Sequence, residues 1–429
     1  MIRRQGFVIK LALMALASAM TIWSAQARVS YSQPMLQSSN ELNAGEPPAL
    51  PAETLNYEAC AARIIDALKL QADERVLIRF DPGYFNQLVA PLRKRIRAAE
   101  AIDVGALEYI ETQAVRDSGE VTAAAVSSDT KMRARLEAQA RAFEQLLDAV
   151  DVYLWLPVRD RVRQIAPAES VALARWLDKG GSRRQIHFHW SGGSVLPDGL
   201  AGEHSSALDA VYASALDIDY TALSATQDRA IDLLRGGTVR VRTPAGTDIS
   251  FRVGDRPVNK QNGDASAERM KTARVRVDRE IELPAGVIRV APLEETVDGR
   301  MIIPSARFGD KTARGIKLEF KSGRITRVEA DANLSSVEAA LTAGGDAARR
   351  FREFALGFNS KLQSPAGVSE LAYYGYGAGV VRMSLGDNQE IGGAVRGFFA
   401  RWFFFPDATV EVDGKVLVRN GKLVIDERK

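Results

Sequence analysis

Apolar and polar positions change their period near residue 237, and the change divides the chain into two kinds of secondary structure. In the first half, helical stripes alternate with short apolar runs. Cys60, Ile64, Ile65, Leu68 and Leu70 lie close to one helical face, and Glu74 to Phe80 reads as a strand closed by Asp81-Pro82-Gly83. Phe85 to Ala101 predicts a helix, Lys131 to Leu147 an amphipathic helix, and Asp151 to Val158 a buried strand. Val171 to Leu177 is again helical, and Arg184 to Trp190 is a further strand. A helix around Ala222 to Leu234 runs into Gly236-Gly237, which stops it. Helices alternating with short buried strands predict an α/β domain with a doubly wound parallel sheet, spanning 57–225.

Beyond Gly237 the period becomes two. Thr238 to Arg242 and Ile249 to Val253 alternate around Pro244-Ala245-Gly246 and predict a hairpin. Ile316 to Phe320 and Ile325 to Glu329, joined through Ser322-Gly323, predict a second; Val410 to Val412 and Val416 to Val418, joined through Asp413-Gly414, a third. Ser335 to Leu341 and Ala347 to Phe354 read as helices. The second half, 226–429, is therefore a sheet-rich α+β domain.

Residues 1–27 carry a targeting pattern. Arg3 and Arg4 precede the apolar run Leu11 to Trp23, and Ala25-Gln26-Ala27 offers a small-Xaa-small cleavage site, so a secretory signal and a periplasmic or secreted protein are expected. The alternative is an uncleaved anchor, the one route by which this pattern involves a membrane. Residues 28–56, with Pro47-Pro48 and Pro51, read as a mobile leader. The chain has 57 basic and 54 acidic residues; removing the signal takes away Arg3, Arg4 and Lys10 and leaves the two signs equal. No net positive field remains to draw nucleic acid. Cys60, the sole cysteine, excludes an internal disulfide and a thiolate cluster, and its helical setting points to a buried, inert thiol.

Four segments of the second half carry a resemblance. They are Thr243-Pro244-Ala245-Gly246-Thr247-Asp248-Ile249 with Gly254-Asp255-Arg256; Leu283-Pro284-Ala285-Gly286-Val287 through Glu295-Thr296-Val297-Asp298-Gly299; Arg350-Phe351-Arg352-Glu353-Phe354-Ala355-Leu356-Gly357-Phe358-Asn359; and Val381-Arg382-Met383-Ser384-Leu385-Gly386 followed by Val412-Asp413-Gly414. In order and content they resemble the thermophilic leucyl metallo-aminopeptidases of the aminopeptidase T and aminopeptidase S family. The resemblance implies homodimers and peptide hydrolysis at two divalent metals (zinc, cobalt or manganese) held by carboxylates and histidines, with a further glutamate as general base.

The matching positions depart from that pattern. Val287 stands where the Pro-Xaa-Gly-Glu segment implies a glutamate ligand. Glu353 keeps the second glutamate ligand, that of the third segment, which the resemblance makes helical. Gly377 stands at the general base, five residues before Arg382, which itself replaces a ligand histidine. Arg401 and Phe403 replace the histidine and aspartate of a last His-Trp-Asp motif. Arginine is always protonated and offers no lone pair to a cation. The expectation is thus a relative without catalytic activity and without a metal cofactor. Arg382 and Arg401, with Glu353 paired to one of them, would then bind a small anionic ligand or peptide, or form a structural salt bridge.

Two other readings stay open. A rebuilt hydrolase site could draw on Asp248, Asp255, Glu294, Glu295, Asp298 and Asp413, although Asp298-Gly299 and Asp413-Gly414 also read as hairpin turns. An envelope interaction protein could use Phe398 to Phe405, six aromatics in eight residues, at an interface or in its core. His187 and His189 stand two apart on one strand face and could share a metal or pack beside Trp190, in the domain remote from the resembling segments. His204 reads as a surface loop residue.

Overall fold

A computed structural model describes residues 55–81, 85–108, 130–157, 167–190, 194–200, 202, 206–397 and 399–425. The expected signal, most of the leader, Val158, His204 and Phe398 lie outside the described residues.

Among the described residues of the first half there are four strands: β1 (Arg75–Phe80), β2 (Ile102–Glu108), β3 (Val152–Trp155) and β4 (Arg184–Phe188). Fourteen follow: β5 (Thr238–Arg242), β6 (Asp248–Arg252), β7 (Val258–Gln261), β8 (Glu280–Leu283), β9 (Val287–Val290), β10 (Asp298–Phe308), β11 (Lys311–Lys321), β12 (Arg324–Glu329), β13 (Phe351–Gly357), β14 (Val381–Gly386), β15 (Ala400–Phe405), β16 (Thr409–Val412), β17 (Lys415–Arg419) and β18 (Lys422–Leu423). They form a parallel sheet ordered β2-β1-β3-β4-β8 and two antiparallel sheets, β12-β11-β10-β6-β5-β16-β17-β18 and β15-β14-β13-β9-β7.

The parallel sheet is doubly wound, as expected. Alternate residues of its strands enter two separate cores: Val76, Ile78, Val152 and Leu154 pack with α1 (Tyr57–Leu68) and α2 (Asn86–Ala98), while Leu77, Tyr153 and Trp155 pack with α3 (Thr130–Leu147) and α4 (Pro167–Asp178). The α1 stripe is Cys60, Ile64 and Leu68, four residues apart, and its end is capped by the Asn56 side chain accepting from Ala59 N–H at 2.9 Å. All three expected hairpins form, as β5–β6, β11–β12 and β16–β17. Among the described residues no helix is long and apolar enough to cross a membrane.

Two elements differ from the sequence reading. Ala347 to Phe354 is not a helix: a four-residue helix ends at Ala348 and β13 begins at Phe351. Every residue of β13 is buried, so neither face shows the polar alternation that marks a strand. Asp298-Gly299 is not a hairpin turn but the start of β10, where the Asp298 carboxylate accepts from Ser322 N–H at 2.8 Å.

The strand β8 positions the site. It ends at Leu283, the first residue of Leu283-Pro284-Ala285-Gly286, yet it pairs in parallel with β4 and becomes an edge of the first-half sheet. Residues from the two periodic halves therefore meet at the C-terminal ends of the parallel strands, where ligands bind in open α/β sheets.

Candidate functional site

The first cluster is an ion-pair network on the β15-β14-β13-β9-β7 sheet. Arg289 of β9, Ala355 of β13 and Arg382 of β14 stand in register across three strands. Ala355 leaves room between the two long side chains, and Glu353, two residues earlier on the same strand face, reaches both. Arg289 Nη2 donates to Glu353 Oε2 at 3.0 Å, and Arg382 Nε donates to Glu353 Oε1 at 2.9 Å. A bulge in β13 leaves Arg352 unpaired in the ladder, and its guanidinium also donates to Glu353. Glu390 receives Arg289 at 3.1 Å and a further bond from Arg352, whose Nε donates to the Asp387 carbonyl at 2.6 Å.

Glu353 and Arg352 are fully buried, and Arg382 nearly so. Burial opposes the charge on Glu353, but Arg289, Arg382 and Arg352 outweigh it and hold the carboxyl well below the usual carboxylate range. Both Glu353 oxygens are occupied by these donors.

The second cluster stands at the end of the parallel sheet. Trp155, His187 and Glu282 are register partners across β3, β4 and β8, so the three side chains share one face. The β4–β8 ladder continues one step further, His189 N–H donating to the Leu283 carbonyl at 2.8 Å, which brings the second imidazole to the same carboxylate. His189 Nε2 is 3.0 Å from Glu282 Oε2, and His187 Nδ1 is 3.6 Å from Glu282 Oε1. Tyr373 donates its hydroxyl to Glu282, and Trp155, Tyr373 and Tyr374 surround His189 with ring centroids 5.2, 5.0 and 5.7 Å away.

Electrostatics follow from this enclosure. Burial disfavours the charged Glu282, but the two imidazoles outweigh it and hold its pKa well below the ordinary value. Burial likewise opposes a charged His187, and the Glu282 carboxylate outweighs it, raising the His187 pKa. Tyr373 is pushed well above the usual phenol range by burial and by the Glu282 charge, so it remains a proton donor. Glu280, two residues before Glu282, is pushed up to about 7, chiefly by burial.

The two clusters are neighbours. Arg382 lies 4.5 Å over the Trp402 ring, Trp402 is 5.5 Å from Tyr374, and Tyr374 is 5.7 Å from His189. By their place in the chain the histidines belong to a domain remote from the resembling segments. The β4–β8 pairing reverses that, because Glu282 directly precedes Leu283 of the second segment.

The positions matched by resemblance fall on neighbouring strands but are not a set of metal ligands. Val287 is buried on β9 and offers only its carbonyl, which accepts from Gln227 at 3.2 Å. Gly377 is packed closely enough that a Cβ there would lie 2.2 Å from the Leu362 carbonyl oxygen. Arg401 does not join Glu353: it donates to the Arg307 carbonyl at 3.1 Å and stands 3.6 Å from Asp198. Phe403 is a core residue of β15, as are Trp402, Phe404 and Phe405, so these four form no exposed aromatic patch. A dinuclear centre does not fit these residues, since Glu353 has no oxygen left and its nearest neighbours are cations.

The carboxylates weighed for a rebuilt site are each engaged or apart. Asp248, Asp298 and Asp413 line one open hollow of about 550 Å³ with Arg240 and Glu411. In it Asp248 is held by Arg240, Asp298 by Ser322 and Lys321, and Asp413 by Thr238 N–H. Glu294 pairs with Arg256 and Asn388, and Asp255 and Glu295 are exposed.

No family model matches the chain, and no curated protein matches it either. Solved structures do. Wild-type AmpT (aminopeptidase T) from Thermus thermophilus aligns at 17% identity with a TM-score of 0.56, covering 86% of this chain and 99% of that one. The chain has an aminopeptidase-like fold. The 2,5-dihydroxypyridine dioxygenase from Pseudomonas putida KT2440 shares the same architecture at 15% identity, with a TM-score of 0.56, over 87% of this chain and 99% of that one. An aminopeptidase-like fold therefore accommodates more than one chemistry, and the residues of the site have to decide which applies.

Arg289, Arg352, Glu390, Glu282 and Tyr373 were not singled out by sequence reasoning. A signal existed for the first: Arg289 is the one charge inside the apolar run Val287 to Val290. A charge in such a run requires a buried partner.

Proposed function

We propose that the chain is an exported, aminopeptidase-T-like protein that has lost peptide hydrolysis at the inherited dinuclear site and uses that place as a structural ion-pair network. The observation that carries this reading is Glu353: fully buried, with both oxygens taken by Arg289, Arg352 and Arg382. Peptidase chemistry of that kind needs a metal-bound water and a base to move its proton. Arg382 supplies neither, and Gly377 has no side chain to act as the base.

Export rests on the Arg3-Arg4, Leu11 to Trp23 and Ala25-Gln26-Ala27 pattern. A small anionic ligand draws support from charge: Arg289, Arg352 and Arg382 outnumber Glu353 and Glu390 by one. A carboxylate or phosphate beside Arg382 would neutralise that excess.

The test is release of N-terminal residues from a peptide panel by the purified protein, with zinc, cobalt or manganese added in turn. No release above the metal-only control is expected. Release that a chelator abolishes and Glu353→Gln removes would establish an active peptidase instead.

A further inference from the structure

We propose that His187, His189 and Glu282 form a mononuclear site for a divalent transition metal of the zinc type, separate from the positions of the inherited dinuclear centre. Strand register sets the three side chains together. Residues i and i+2 of β4 present two imidazoles on one face, and β8 places a carboxylate opposite the first of them. One ligand atom from each residue lies within 4.8 Å of the other two. Tetrahedral bonds of about 2.0–2.1 Å set neighbouring ligand atoms about 3.3 Å apart. His189 Nε2 stands 3.0 Å from Glu282 Oε2 and His187 Nδ1 3.6 Å from Oε1, so each imidazole faces one oxygen of the same carboxylate at close to that spacing.

His187 supplies the independent observation. It is 2% exposed; Nε2 has no hydrogen-bond partner, and Nδ1 faces Glu282 Oε1 only at 3.6 Å, beyond hydrogen-bond length. A buried polar group left unpaired costs roughly 1–3 kcal/mol. A metal ion would take one nitrogen as a ligand and recover part of that cost.

The donor set selects the ion. Two imidazole nitrogens and one carboxylate oxygen suit zinc, cobalt or ferrous iron, whereas magnesium and calcium require oxygen ligands. Tyr373 acts as a positioning residue, its hydroxyl fixing the Glu282 carboxylate, while Trp155 packs against both imidazoles. Three protein ligands leave a coordination position open, the arrangement of catalytic rather than structural zinc sites. Glu282 and Tyr374 are the half-buried members of the cluster, and Tyr374 lies against His189.

The experiment uses the full mature protein stripped with a chelator, then titrated separately with Zn²⁺ and Co²⁺. Metal per chain is measured by elemental analysis, and the melting temperature is followed with and without metal. The wild type is expected to retain one equivalent, to melt higher with metal, and to show the visible absorption of tetrahedral Co²⁺. His189→Asn and Glu282→Gln, each checked for retained fold by circular dichroism, are expected to lose the equivalent and the thermal shift. Tyr373→Phe is expected to bind about 10- to 100-fold more weakly while keeping the Co²⁺ spectrum. No bound equivalent in the wild type, or equal binding in folded His189→Asn and Glu282→Gln, would overturn the proposal. Metal lost only in Glu353→Gln would overturn it too, and would separately contradict the loss of the inherited centre.

Discussion

Replacing Glu353 by Gln removes one negative charge from the centre of the arginine network while keeping its shape. In the native protein three guanidinium groups surround this fully buried carboxylate, with Glu390 the second acid. Each charge pair at about 4 Å is worth roughly 4 kcal/mol at an effective dielectric of about 20. The desolvation of the ions cancels much of that sum, and removing one partner of a buried pair costs about 3–5 kcal/mol net. Urea denaturation of Glu353→Gln should show a loss of that order. The double variant Glu353→Gln with Arg382→Met should recover part of it, because one uncompensated cation is also removed.

The same substitution fixes a pH dependence. The Glu353 pKa is depressed well below its ordinary 4.5, so its charge contributes stability that is present above pH 4.5 and is lost as the pH falls toward the folded value. The gap between wild type and Glu353→Gln should therefore be widest near neutrality and narrow in acid. A loss under about 1 kcal/mol at pH 7 would place the pair in the range of exposed surface bridges and contradict a buried, charge-balanced Glu353.

Gly377→Ala should destabilise by about 1–3 kcal/mol or more, because its Cβ would meet the Leu362 carbonyl at 2.2 Å and backbone must move; an unchanged urea midpoint would contradict this. Cys60 is 5% exposed and burial pushes its thiol up to about 11, so it should resist alkylation at pH 8 until urea unfolds the chain; rapid labelling of the native protein would show a different environment. Arg184 is fully buried and donates to both oxygens of Glu74 at 2.8 Å, so Glu74→Gln should cost more stability than Glu268→Gln at the exposed Lys271 pair; equal melting temperatures would refute the ranking.

The alternating architecture was legible because β1, β3 and β4 are short apolar runs between helical stripes, and the three hairpins because their turn residues sit between period-two segments. The edge strand β2 escaped notice: in Ile102 to Glu108 the exposed Ile102 and Val104 alternate with polar Asp103 and the unmarked Gly105. The strand β13 looked helical because Arg352 and Glu353 are buried beside one another, which hides its two-residue period. Individual site residues could be named from the chain, and so could the pairing of Glu353 with Arg382, but the other partners could not. Glu353 meets Arg289 through strand register across sixty-four residues, and His187 meets Glu282 only because β8 joins the parallel sheet. Long-range pairing of this kind leaves no local periodicity to detect.

Crystals of the purified protein soaked in zinc and measured at the zinc absorption edge test at atomic level whether arginines rather than metal hold Glu353. No anomalous peak is expected within bonding distance of Glu353, whose oxygens stay on Arg289, Arg352 and Arg382. Two peaks bridging Glu353, with Arg382 displaced, would contradict that arrangement.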